Sequence, residues 1–250
     1  MRGIVHSIAV ISASAFLGQA ALAADFPVKA PMAPVMAPAF NWSGLYVGID
    51  AGYAWGSSTV NDISGYNGAG GVGDFSYNPR GFQGDLRIGY NWQINQFVIG
   101  GEGEFGYLGI DKSQQYPPYV GVRTAADSVA NTSNGWYGAL SGRVGIAFNN
   151  FLLFAKGGGV FTSIDNSFND TDPVGLILVS NTTTSKRTGW TAGGGVEFAF
   201  NQNWAARVEY AHYDFGTESH TAVANSGTSY TFRHSLTLDS VRVGLTYLFH

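Results

Sequence analysis

From Trp42 to Gly56 the chain alternates: Leu45, Val47, Ile49, Ala51, Tyr53 and Trp55 share one parity, while Asp50 lies on the other among Gly44, Tyr46, Gly48 and Gly52. Side chains change face at every residue of a β-strand, so the segment predicts a strand with one apolar and one polar wall. The pattern returns seven times. Over 81–92, Phe82, Leu86, Ile88, Tyr90 and Trp92 oppose Gln83, Asp85, Arg87 and Asn91; over 97–108, Phe97, Ile99, Phe105 and Tyr107 oppose Glu102 and Glu104. Segment 136–148 sets Trp136, Leu140, Val144, Ile146 and Phe148 against Ser141 and Arg143, and 151–161 sets Leu153, Ala155 and Phe161 against Lys156. Segments 189–200, 204–215 and 238–249 place Glu197, the pair Arg207 and Glu209, and Arg242 opposite apolar partners. The polar wall therefore carries Asp50, Asp85, Glu102, Glu104, Glu197 and Glu209 with Arg87, Arg143, Lys156, Arg207 and Arg242, a nearly neutral set.

A soluble β-sandwich or lipocalin-like barrel alternates in the same way, with the charges outside. Parity alone does not say which wall faces out, but three further features do. At the amino terminus, Arg2 precedes a weakly apolar stretch from Ile4 to Leu17, and Ala21, Leu22 and Ala23 make a small-x-small cleavage site. This predicts a secretory signal peptide over 1–23. Tryptophans mark both ends of the predicted strands: Trp42, Trp92 and Trp204 at one, Trp55, Trp136 and Trp190 at the other. All but Trp42 share the apolar parity, and two aromatic belts fit two membrane interfaces, giving a belt of Trp55, Trp92, Trp136, Trp190 and Trp204. Connection lengths supply the third feature. Tight turns at 93–96, 149–150 and 201–203 alternate with long gaps at 57–80, 109–135, 162–188 and 214–237. Short periplasmic turns and long extracellular loops belong to outer-membrane barrels with an even strand number. The expected fold is therefore all-β, an antiparallel eight-stranded up-and-down transmembrane β-barrel over 41–250 with four long extracellular loops.

Proline placement refines the picture. Pro27, Pro31, Pro34 and Pro38 fall in a predicted periplasmic segment over 24–40, and Pro79, Pro117, Pro118 and Pro173 fall in predicted loops. In lipid, a proline within a strand would delete a ladder hydrogen bond that no water replaces. Val174–Val179 is an apolar run inside the third long gap, where it either extends a strand or forms a loop hairpin; the flanking Asp165, Asn169, Asp170 and Asp172 argue against a further spanning pair. The chain has 35 glycines and no cysteine. Runs such as Gly157–Gly159 and Gly193–Gly195 sit inside predicted strands rather than between a strand and a helix, so they point to space in a narrow lumen and not to a phosphate loop. The formal net charge of −4 falls to about −5 once Arg2 is removed, and acidic loops argue against nucleic acid as a partner. Arg80, Lys112, Arg123, Lys186, Arg187 and Arg233 near the outer rim are candidates for lipopolysaccharide phosphates.

Two motifs carry a family resemblance. Trp42-Ser43-Gly44-Leu45-Tyr46-Val47-Gly48 followed by Gly52-Tyr53 resembles the first strand of the alphaproteobacterial Omp25/Omp31-type outer-membrane proteins, a branch of the OmpA-like small barrels. Arg242-x-Gly244-x-x-Tyr247-x-Phe249 resembles the last-strand signal read by the barrel assembly machinery, although His250 follows the usual terminal aromatic residue. The resemblance implies localisation to the cell outer membrane of a Gram-negative bacterium and a structural, surface-antigen role, with loops open to extracellular or host ligands.

An eight-stranded barrel is about narrow enough for side chains to fill it, so the eleven charges predict a plugged lumen. A small ion-conducting barrel is the alternative. Some members of the resembled family bind haem, for which Tyr116, Tyr119, His220 and His234 are the candidate ligands; a haemin titration without a Soret shift would remove that reading. Catalysis is not expected, because His212 is followed by Tyr213 and Asp214 with no nucleophile at the required offset, and His234 with Ser235 would point to opposite faces. The five histidines form no metal-ligand spacing, and neither metal nor cofactor is expected.

Overall fold

The computed structural model describes residues 40–64, 75–110, 112–115, 128–170, 181–223 and 227–250. The predicted signal peptide, nearly all of the proline-rich segment, Tyr116, Tyr119 and Val174–Val179 lie outside them. Ten strands form in chain order: β1 (Gly44–Asp62), β2 (Phe75–Tyr77), β3 (Arg80–Ile94), β4 (Phe97–Ile110), β5 (Lys112–Gln115), β6 (Ser128–Phe148), β7 (Phe151–Asp170), β8 (Asn181–Ala199), β9 (Trp204–Val223) and β10 (Ser229–Phe249). Two of these, β2 and β5, are short strands that pair with β1 and β6 beside the long connections. The other eight pair antiparallel in the order β10-β9-β8-β7-β6-β4-β3-β1, and β1 returns to pair with β10 from Leu45↔Phe249 to Asp62↔Phe232. Among the described residues the eight long strands thus close on themselves and leave no free edge along the apolar band, which satisfies the backbone within lipid.

The tight turns follow from asparagine. Asn95 and Asn149 adopt left-handed φ of 55° and 51°, a conformation that asparagine tolerates better than most non-glycine residues. At the third turn the Asn201 carboxamide oxygen accepts the backbone N–H groups of Asn203 (2.9 Å) and Trp204 (2.8 Å). All three turns lie at one end of the barrel, which the short-turn rule makes periplasmic.

Alternation settles the faces. Leu45, Val47, Ile49, Tyr53 and Trp55 of β1 are exposed, whereas Tyr46, Asp50, Ala54 and Ser58 are buried in the lumen. Leu86, Ile88, Leu140, Val144, Val208 and Val243 continue the exposed apolar wall around the barrel.

The strands outrun the apolar segments that predicted them. Six of the eight span 19 to 21 residues, about 50 Å along the barrel axis at about 3.3 Å per residue and a tilt of about 40°. A bilayer core takes about 9–11 tilted residues. Part of each predicted long loop is therefore strand that continues beyond the membrane: 57–62, 128–133, 164–170, 181–188 and 217–223 are paired with neighbours. Apolar alternation ends there, but the ladder continues because the outward side chains, exposed Ser57 and half-buried Thr59 and Asn61, face water instead of lipid. Register shifts at Ser133/Gly135 and Ser235/Thr237 fall in these extensions, where a β-bulge is tolerated.

Candidate functional site

Inside the barrel, the eleven charged side chains form one continuous layer, each no more than 7% exposed. Glu102 is its hub. It receives a two-pronged contact from Arg207 (2.7 and 3.1 Å), the Lys156 ammonium (3.0 Å) and the Tyr46 hydroxyl (2.7 Å). Lys156 also reaches Glu104 and Glu209, the latter at 2.9 Å. Arg207 bridges Glu197 (3.2 Å) and Glu209, and Arg143 adds a second contact to Glu197 (3.0 Å). Arg242 spans from Asp85 (2.8 Å) to Glu104 (3.2 Å) and Glu209.

Asp50 and Asp85 stand directly opposite each other on β1 and β3, a like-charge pair that would repel if left alone. The structure splits them between cations. Arg87 takes Asp50 at 3.3 Å and donates onward to Thr246, while Asp85 is held by Arg242 and the Tyr137 hydroxyl (2.9 Å). Glu102, Glu104 and Glu209 bring carboxylate oxygens close enough together for a metal ion, but Lys156 contacts all three. An ammonium thus occupies the position that a cation would take.

Glycines make room for this layer. A methyl group on Gly48 would collide with the Arg87 guanidinium, and one on Gly106 with Asp85 and the Tyr137 ring. Narrow barrels with long inward side chains need such gaps.

Apolar layers close the lumen above and below. On the periplasmic side, Trp42, Tyr46, Val98, Ala147, Leu152, Phe154, Ala199, Ala205 and Leu248 form a buried cluster, with Phe40 packed against Trp42 at 4.7 Å between rings. Trp42 is fully buried, which explains its departure from the parity of the other tryptophans. Phe154 joins this layer to the charges, because Arg143 and Arg207 lie over its ring at 4.3 and 4.5 Å. On the other side, Ala54, Leu108, Ile110, Tyr137, Ala139, Val160, Ala211, Tyr213, Phe215, Leu236 and Leu238 form the second cluster. Gln83 ties it to the charged layer by donating to the Tyr137 (2.6 Å) and Tyr213 (3.1 Å) hydroxyls.

Sequence parity finds the charges but not these layers. Inward Leu, Val and Phe residues look like noise on a polar wall until the layers are stacked. Tyr46, Gln83, Tyr137 and Thr246 fall on the inner parity, but nothing in the sequence pairs them with the charges.

Further from the membrane, a second polar group sits inside the strand extensions. Arg187 contacts Glu218 at 3.4 Å, His220 lies 3.6 Å from Glu218, and the His220 and His234 rings are 5.5 Å apart. Burial, with His220 and Arg187 alongside, pushes the His234 pKa down to about 3, and burial also lowers that of His220. Arg187 is 5% exposed and points inward opposite Thr162, so it is not available to lipopolysaccharide as expected from sequence; Lys186, Arg80 and Arg233 face outward. The strand continues through position 187, and alternation turns that side chain into the lumen.

Trp55, Trp92, Trp136, Trp190 and Trp204 are 40–62% exposed on the outer wall. In the last strand, Arg242 belongs to the lumen network, and Gly244 faces Asp50 so closely that a methyl group would strike its carboxylate. Tyr247 and Phe249 meet edge to face on the outer wall with ring centroids 4.8 Å apart, and Tyr247 meets Trp204 in the same way at 5.1 Å.

Residues 10–249 match the family model described as the outer membrane protein beta-barrel domain. The chain belongs to this family. It is 31% identical to a 31 kDa outer-membrane immunogenic protein of Brucella melitensis, over 98% of this chain and 100% of that one. It is also 31% identical to a 22 kDa outer membrane protein of Rhizobium leguminosarum, over 85% of this chain and 80% of that one. Among solved structures, the outer membrane protease OmpT from Escherichia coli covers 86% of this chain and 99% of its own with a TM-score of 0.54; at 9% identity this likeness concerns the fold alone. The chain is thus an Omp25/Omp31-type barrel of the Gram-negative outer membrane. Its lumen is plugged by its own side chains.

Proposed function

We propose that the barrel acts as a closed structural element of the outer membrane that displays its strand extensions and loops to the surroundings. The observation that carries this reading is the stacking of a paired charge layer between two apolar layers. An ion crossing the lumen would have to break buried ion pairs and pass two dry clusters, and an unpaired charge in such surroundings costs several kcal/mol. The small ion-conducting barrel is therefore the weaker alternative. Refolded protein in a planar bilayer should give no stable open-channel steps at neutral pH. Reproducible steps of porin size would overturn the closed reading.

The outer belt of Trp55, Trp92, Trp136, Trp190 and Trp204 fits rings seated at the two headgroup layers. Arg242, Gly244, Tyr247 and Phe249 are proposed as the residues read by the barrel assembly machinery. Tyr247 and Phe249 lie on the outer wall of the last strand beside the periplasmic turns, the end and face on which an assembly factor could meet them. The outward Arg80, Lys186 and Arg233 support lipopolysaccharide contact, and the displayed extensions and loops support contact with extracellular or host ligands.

A further inference from the structure

The outer wall changes character along one row of cross-strand neighbours. Below it lie Phe82, Tyr53 and Val241; above it lie Ser57 and Thr237. The row itself reads Arg80, Trp55, Asp239 and His212 on β3, β1, β10 and β9, each directly opposite the next. A carboxylate here is unexpected, because acidic groups on the lipid-facing wall of a barrel are unfavourable toward the bilayer midplane and tolerated only near its edge. Asp239 is nevertheless fixed. Its Oδ1 accepts the Tyr210 hydroxyl at 2.6 Å and pairs with His212 Nδ1 at 2.8 Å. Both contacts converge on Oδ1, and the side chain remains 29% exposed.

Trp55, Arg80, Thr237 and Asp239 line a groove of about 370 Å³ on this outer surface. Asn78 and Pro79 also line it, and the Gly56 N–H donates to the Pro79 carbonyl at 3.0 Å. The groove opens outward at the upper edge of the apolar band, on the side opposite the short turns. It therefore lies at the height of the outer-leaflet headgroups, where an exposed guanidinium, an indole face and an oriented carboxylate stand side by side.

We propose that this groove binds the headgroup of a phosphorylated glycolipid of the outer leaflet. Arg80 supplies a planar donor fork that matches a phosphate. The Trp55 indole gives an apolar platform for a sugar ring while its N–H remains wet. Asp239, oriented by Tyr210 and His212, accepts from a sugar hydroxyl or amide N–H. A plain anionic phospholipid would satisfy Arg80 alone, so the carboxylate is what selects for a sugar. This site rests on the proposed lipopolysaccharide contact at the outer rim and narrows it to one groove.

The test uses refolded full-length barrel in detergent, titrated with bis-phosphorylated lipid A and, separately, with phosphatidic acid, whose headgroup carries no alcohol hydroxyl, with binding followed by calorimetry. Wild type should bind lipid A saturably and more tightly than phosphatidic acid. Arg80→Ala and Asp239→Asn should each weaken lipid A binding about tenfold, the size expected of one charge-assisted hydrogen bond. Asp239→Asn should leave phosphatidic acid binding unchanged, and Ser219→Ala, exposed on the β9 extension away from the groove, should match wild type for both lipids. Heat-modifiable electrophoretic migration shows that each variant is folded. Wild-type affinity for lipid A in folded Arg80→Ala and Asp239→Asn would overturn the groove while leaving a diffuse rim contact intact. Equal affinity of wild type for the two lipids would overturn the sugar selectivity, and no saturable lipid A binding at all would overturn the groove together with the rim contact.

Discussion

Glu102 shows how one residue can matter to the whole lumen. Two prongs from Arg207, the Lys156 ammonium and the Tyr46 hydroxyl all depend on its carboxylate. Glu102→Gln removes the charge and keeps the shape, leaving buried cations short of a partner. Breaking a buried pair on one side costs about 3–5 kcal/mol, so the urea midpoint of the refolded variant should fall accordingly, and an unchanged midpoint would show that the layer reorganises freely. His234 gives a separate prediction at the extracellular end. Its pKa lies near 3 in the folded barrel against an unfolded value of about 6.5, so the unfolded chain binds more protons between these values. The stability tied to its neutral form is complete above about pH 6.5 and is lost progressively as pH falls toward 3. Its neighbours are His220 and Arg187, which disfavour its charge, and Glu218 directly opposite. The stability difference between wild type and His234→Asn should therefore shrink with acidification across that window, and a pH-independent difference would refute this account. From sequence, the charges of the lumen were legible because each violates an otherwise apolar or glycine-rich alternation. The pairing of His212 with Asp239 was not, since the two are brought opposite each other only by the β9–β10 register.

Strands are legible in the sequence where lipid imposes strict alternation, and lose their signal where water relaxes it. The eight spanning segments, their turns and their order all follow from parity and turn residues. The extensions escaped because Ser, Thr and Asn on the outer face carry no apolar signal, although their backbone pairs as regularly as in the spanning part. Such an extension should be separable from the barrel. Replacing residues 219–233 with Asn-Gly joins Glu218 and His234, which already face each other, through a two-residue turn that favours hairpins. The shortened chain should keep heat-modifiable migration and the wild-type thermal midpoint; failure to fold would mean that the extensions contribute to the barrel itself. At the other end of β10, Phe249→Ala should slow assembly in cells through loss of the terminal aromatic residue. It should leave the refolded stability almost unchanged, since Phe249 is exposed on the outer wall. Loss of both would assign it a packing role instead.

At the scale of the molecule, lumen closure and sheet closure are linked. Arg87 on β3 contacts Asp50 on β1 and Thr246 on β10, and Arg242 on β10 reaches across β1 to Asp85 on β3. The seam between the first and last strands is therefore bridged twice, by ladder bonds in the wall and by side chains behind it. The plugged lumen accounts for the expected absence of open-channel steps, and the same stacking ties opposite walls together. A force applied to the carboxyl-terminal strand would meet the consequence directly. Peeling β10 away would require its ladder and its ion pairs to yield together, so the barrel should resist pulling with a single large rupture rather than a strand-by-strand unzipping.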